Sequence, residues 1–135
     1  MMIKVVLDTN IFISSIFWDK GKSHGIVGMA LDKRIAVFTS FEILEELERV
    51  LRRDFEEPDE MVHRQVSLIL DYATVVKPNL KLQVVDKDPD DNKIIECAAS
   101  CHVDYIITGD KHLHDLKEYN GIRIVTASQF IELAR

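Results

Sequence analysis

Ile3-Lys4-Val5-Val6-Leu7-Asp8-Thr9-Asn10, near the start of the chain, decides how the rest is read. Ile3 to Leu7 is mainly apolar and β-branched, as expected of a strand buried on both faces. Apolar residues then recur at helical spacing, as Ile11-Phe12-Ile13 and Ile16-Phe17-Trp18, until Lys20-Gly21-Lys22 breaks the pattern. A buried strand running straight into a helix is the opening of a β-α unit. It places Asp8 at a strand's carboxyl end, where parallel sheets gather their functional groups.

The same alternation continues outward. Ser23 is expected to cap a helix to about Lys33. Ile35 to Thr39 reads as a second strand. Ser40 caps a helix with Ile43, Leu44, Leu47, Val50 and Leu51 on one stripe. Pro58-Asp59-Glu60 starts another, with Val62, Val66, Ile69 and Leu70 inward. Either Val75-Val76 or Leu82 to Val85 supplies a third strand. An acidic turn from Asp86 leads to a helix from about Asp90 to Cys101, with Ile94, Ile95, Ala98 and Cys101 buried and with Asn92 and Lys93 facing outward or sideways. Tyr105 to Thr108 is a fourth strand, ending at Gly109-Asp110. A short turn or helix covers Lys111 to Tyr119, Gly121 precedes a strand from Ile122 to Val125, and Ser128 to Ala134 closes with a helix. Strands separated by helices imply right-handed crossovers. The expected fold is a three-layer α/β/α domain over residues 1–135, with a mainly parallel sheet of four or five strands.

Composition sets bounds. At 135 residues, 47% apolar and 30% charged, the chain suits one globular domain. No apolar run reaches membrane-spanning length. The N-terminus is too short for a secretory core and lacks a small-residue cleavage site, so a cytoplasmic location is expected. Cys97 and Cys101 read as core-facing thiols, since no His or Cys pair completes a zinc set. A net charge of −6 argues against non-specific nucleic-acid binding, unless several of the acids belong to a site that cations neutralise.

Such a site is visible. Asp8, Glu46, Asp91 and Asp110 stand where strands or helices begin or end. Each has an ordinary alternative: Asp8 or Thr9 caps a helix, Asp110 belongs to a Gly-Asp turn, and the glutamates form a solvated face. Taken together, carboxylates from four segments raise one another's pKa and are tolerated when a cation neutralises them. Glu46 lies beside the apolar stripe, with Glu42 and Glu45 as neighbouring candidates. Asp91 falls on the buried side of its helix's first turn, with Asp88 available to assist. Asn10 and Thr108 are polar positions beside the group. An all-oxygen set suits Mg²⁺ or Mn²⁺. The five histidines match no ligand spacing and are expected on the surface, with His112 or His114 placed to approach a bound phosphate.

Four segments in order resemble the PIN-domain ribonucleases: Val5 to Asn10, Ser40 to Leu47, Asp88-Pro89 with Asp91-Asn92-Ile94-Ala98, and Ile107 to Asp110. The chain is most similar to the small prokaryotic members that serve as toxins of toxin–antitoxin pairs. The resemblance implies an acidic quartet, Asp8, Glu46, Asp91 and Asp110, that binds Mg²⁺ or Mn²⁺ and cleaves RNA. Asp8, Asp91 and Asp110 would be metal ligands. An antitoxin partner and a homodimer are also implied.

Other readings fit less well. A haloacid-dehalogenase phosphatase needs a second Asp where Asn10 stands. A receiver-type domain needs an acidic pair near the first strand and a Lys after the last. A catalytically silent domain that binds RNA or a partner protein is the alternative from another functional class.

Overall fold

The structure, a computed structural model, describes residues 2–79 and 91–135. In chain order the elements are β1 (Ile3–Leu7), α1 (Thr9–Phe17), α2 (Lys22–Leu31), β2 (Ile35–Ser40), α3 (Phe41–Arg53), α4 (Asp59–Tyr72), β3 (Ala73–Val76), α5 (Asn92–Cys101), β4 (Tyr105–Ile107), α6 (Lys111–His114), β5 (Glu118–Tyr119), β6 (Ile122–Val125) and α7 (Ala127–Ala134). The sheet order is β3-β2-β1-β4-β6-β5. Every pairing is parallel except β5 with β6. Right-handed crossovers carry the chain leftward from β1 to β3 over α1 to α4. It then returns to β4 over α5 on the opposite face, where α5 packs on β1, β2 and β4.

The central strands are buried because both faces are covered. Val5, Val6, Leu7, Ile106 and Ile107 are inaccessible to solvent, as are Ile43, Leu47 and Leu51 of α3 and Ile94 and Ile95 of α5. At about 25 cal/mol per Å² of apolar surface, that burial is the main favourable term of the fold. Cys97 is buried and Cys101 half-buried. Burial pushes both thiols above their ordinary range, so they are poor nucleophiles. Among the described residues, no helix is long and apolar enough to cross a membrane.

Several expectations are refined. Val75-Val76 forms the third strand; the alternative at Leu82 to Val85 lies outside the described residues. The sheet gains a sixth strand, because Glu118-Tyr119 pairs back on β6 around Asn120-Gly121. Both loop residues adopt positive φ, 48° and 86°, as a tight two-residue hairpin requires. Ser23 is not the cap of α2. The cap lies two residues earlier, at Gly21, without a side-chain bond, and Ser23 is buried in the first turn. Leu70 is half exposed rather than inward, because the stripe of α4 that reaches the core is centred on Val62 and Ile69.

Candidate active site

Strand order reverses between β1 and β4, and the register there decides which side chains meet. Pairing Leu7 with Ile107 makes Asp8 and Thr108 the first residues beyond two adjacent carboxyl ends. The Thr108 hydroxyl donates to Asp8 Oδ2 at 2.6 Å, and the Thr9 amide donates to Asp8 Oδ1 at 2.7 Å. Hydrogen bonds to a charged group contribute about 1.5–3 kcal/mol each. Asp8 is only 4% exposed, and the desolvation penalty of a buried carboxylate is several kcal/mol. Burial prevails. It is the largest cause that lifts the Asp8 carboxyl above its ordinary 3.8; Thr108 and Thr9 oppose it, and the nearby charges of Glu46 and Asp110 add to it.

α3 brings Glu46. Ser40 caps this helix by accepting from the Ile43 amide at 3.3 Å, and its apolar stripe turns Glu46 to the edge of the core. Glu46 is half-buried while Glu42 and Glu45 are exposed, and Glu46 lines the cleft. The Thr9 hydroxyl donates to Glu46 Oε2 at 2.5 Å. Lys93 Nζ lies 3.0 Å from Oε1.

Asp91 sits at the N-terminus of α5 in helical geometry, and its side chain makes no capping bond to that helix. Asp110 caps α6 instead: Oδ1 accepts from the amides of His112 at 2.8 Å and Leu113 at 3.2 Å. Its own amide donates to the Thr108 hydroxyl at 2.9 Å. One threonine oxygen thus ties Asp8 to the Asp110 backbone. For Asp8 and Asp110, capping and clustering coexist rather than compete.

The result is a cleft of about 310 Å³ lined by Asp8, Thr9, Asn10, Ile13, Glu46, Val50, Asp91 and Asp110. The four acids that the sequence singled out meet there, with Asn10 exposed at the mouth and Thr108 buried beneath. A larger depression, about 930 Å³, lies around β6, α6 and α7. It holds none of the four, so size does not locate the chemistry. Asp88 lies outside the described residues.

Four residues were not anticipated in these positions. Thr9 reaches Glu46. Lys93, expected to point away, folds back to Glu46, and Asn92 is buried. At a helix's first turn the angular rule weakens, because a long side chain can reach around the open end. His112, expected on the surface, is half-buried and offers a donor atom within 4.8 Å of donors on both Asp91 and Asp110. Its place two residues after Asp110 was the available signal. His114 is turned elsewhere, its Nε2 donating to the Thr108 carbonyl at 2.6 Å. The donor set, carboxylate oxygens with one imidazole, fits a divalent cation of hard to borderline character.

Comparison with known proteins identifies the family. Residues 4–112 match the PIN domain, and the chain therefore belongs to the PIN-domain family, a family of nucleases that use divalent metal ions. Uncharacterized protein MJ1680 of Methanocaldococcus jannaschii is 31% identical over 96% of this chain and 90% of its own length. VapBC2 from Rickettsia felis, solved bound to a DNA fragment from its promoter, superposes with a TM-score of 0.65 at 12% identity, covering 92% of this chain and 98% of that one. PAE2754 from Pyrobaculum aerophilum superposes at 0.59 with 14% identity, covering 99% and 98%. These structural likenesses concern the fold.

Proposed function

We propose that this chain is a Mg²⁺- or Mn²⁺-dependent endoribonuclease that hydrolyses phosphodiester bonds of single-stranded or structured RNA. We infer further that it is the toxin of a toxin–antitoxin pair, acting in the cytoplasm as a homodimer. The observation that carries the activity is the convergence of Asp8, Glu46, Asp91 and Asp110 on one cleft, within a family of nucleases.

Asp8, Asp91 and Asp110 would hold the cation, which would lower the pKa of a water and offset charge building on the phosphate oxygens. Glu46 orients or deprotonates the attacking water. Thr9 and Lys93 each engage one of its oxygens, and a carboxylate oxygen keeps a further lone pair for that task. Thr108 fixes the Asp8 rotamer, and Asn10 stands where RNA enters. The net charge of −6 is partly the charge of this site, so substrate approach depends on the cation. The toxin reading is supported by the likeness to VapBC2, and exposed Leu31, Leu68 and Leu70 on α2 and α4 offer apolar surface to a partner.

The test is cleavage of single-stranded and hairpin RNA in Mg²⁺ or Mn²⁺ by pure wild-type and Asp8→Asn proteins. Loss of cleavage in the variant is expected, and undiminished cleavage would end the assignment. Wild-type protein that binds RNA or a partner but never cleaves would instead favour the silent binding module.

A further inference from the structure

We infer that His112 supplies a nitrogen ligand to the divalent ion, making the centre a mixed nitrogen–oxygen site that favours Mn²⁺ over Mg²⁺. This rests on the metal-dependent reading above and departs from its all-carboxylate ligand set. Asp91, Asp110 and His112 each present one donor atom, all within 4.8 Å of one another. Two atoms bound to one ion at about 2.1 Å lie at most about 4.2 Å apart. Three donors sharing one such ion stand about 3–4 Å from one another, so binding would draw these side chains inward by torsion.

The surrounding bonds explain why this imidazole is in place. Asp110 Oδ1 accepts from the His112 amide at 2.8 Å, so the carboxylate and the imidazole leave one short turn together. Leu113, fully buried, anchors that turn to the core and fixes which side faces the cleft. The other half of the cleft already carries an internal cation, since Lys93 is paired with Glu46. Mg²⁺ strongly prefers oxygen in strict octahedral geometry, whereas imidazole binds borderline ions better.

Pulsed EPR of Mn²⁺ bound to the full chain tests this directly. Wild-type protein should show the nuclear modulation of a coordinated imidazole nitrogen, and ¹⁵N-histidine labelling should change it. In His112→Ala the modulation should vanish and Mn²⁺ affinity should fall at least about tenfold, with Mg²⁺ affinity changing less. Bound Mn²⁺ without nitrogen coupling, or coupling that survives in His112→Ala, would overturn the assignment and leave the nuclease reading intact. Failure of wild-type protein to bind Mn²⁺ at all would overturn both, and RNA cleavage by Asp8→Asn separates the two cases. A wild-type spectrum without nitrogen coupling overturns the claim even where the variant misfolds.

Discussion

Asp8 and Asp91 face one cleft, but the protein treats its two halves differently. On the Asp8–Glu46 side, protein donors already engage the acids. Thr108 and the Thr9 amide serve Asp8, and the Thr9 hydroxyl and Lys93 serve Glu46. On the Asp91–Asp110 side, Asp91 does not cap its helix, Asp110 directs its capping bonds to Oδ1, and both approach His112. The first half is a preorganised wall and the second is spaced like a ligand set. Preorganisation by neighbouring donors holds a reactive geometry without reorganisation at the moment of reaction, and the second half adds an imidazole nitrogen to its carboxylates.

The largest effect should come from removing charge on the wall. Asp8→Asn should reduce RNA cleavage on the order of a thousandfold, since direct charge stabilisation of several kcal/mol is lost and each 1.36 kcal/mol is tenfold. Single-turnover rates in saturating Mn²⁺ would measure it. Thr108→Val keeps the shape but removes the donor to Asp8 and the acceptor for the Asp110 amide. Metal affinity should drop about 10–100-fold, read by calorimetric titration; an unchanged affinity would break the link between the two halves. Lys93→Met should lower cleavage about tenfold yet tighten Mn²⁺ binding, because Glu46 loses its internal cation. If binding weakened instead, Lys93 would be a structural prop rather than a competing charge.

The smallest effect concerns stability with metal removed. The Asp8 carboxyl has a folded pKa raised above 3.8, mainly by burial. Folded protein therefore holds that proton more tightly than unfolded protein does. This contribution to stability is full below 3.8 and is lost as pH rises through the folded value. Thermal unfolding in chelator should show that decline in wild type, and Asp8→Asn should flatten it.

Much of the architecture was legible because it is local. Ile3 to Leu7, Ile35 to Thr39 and the α3 stripe carry their period in adjacent residues, and Ser40 announces its helix. The Asn120-Gly121 hairpin was missed: Lys111 to Tyr119 read as a turn or short helix, although two residues that adopt positive φ stand between Tyr119 and Ile122. Glu46 was favoured by its angle at the core edge, with Glu42 and Glu45 left open; the structure leaves those two exposed and Glu46 half-buried. Leu70 misled, because apolar identity does not say how wide a stripe the neighbours cover.

The sequence by itself determined the strand-to-helix punctuation and the four carboxylates that stand at its breaks, because periodicity and capping act within a few residues. Only the tertiary structure decided which groups flank those carboxylates. The bond from Thr108 to Asp8 spans 100 positions and that from Lys93 to Glu46 spans 47. Such meetings are set by sheet register and by packing of helix ends, where helical angle no longer fixes where a long side chain points. His112 joins Asp91 for the same reason: a short turn after β4 and the start of α5 are brought together by the sheet, not by the chain.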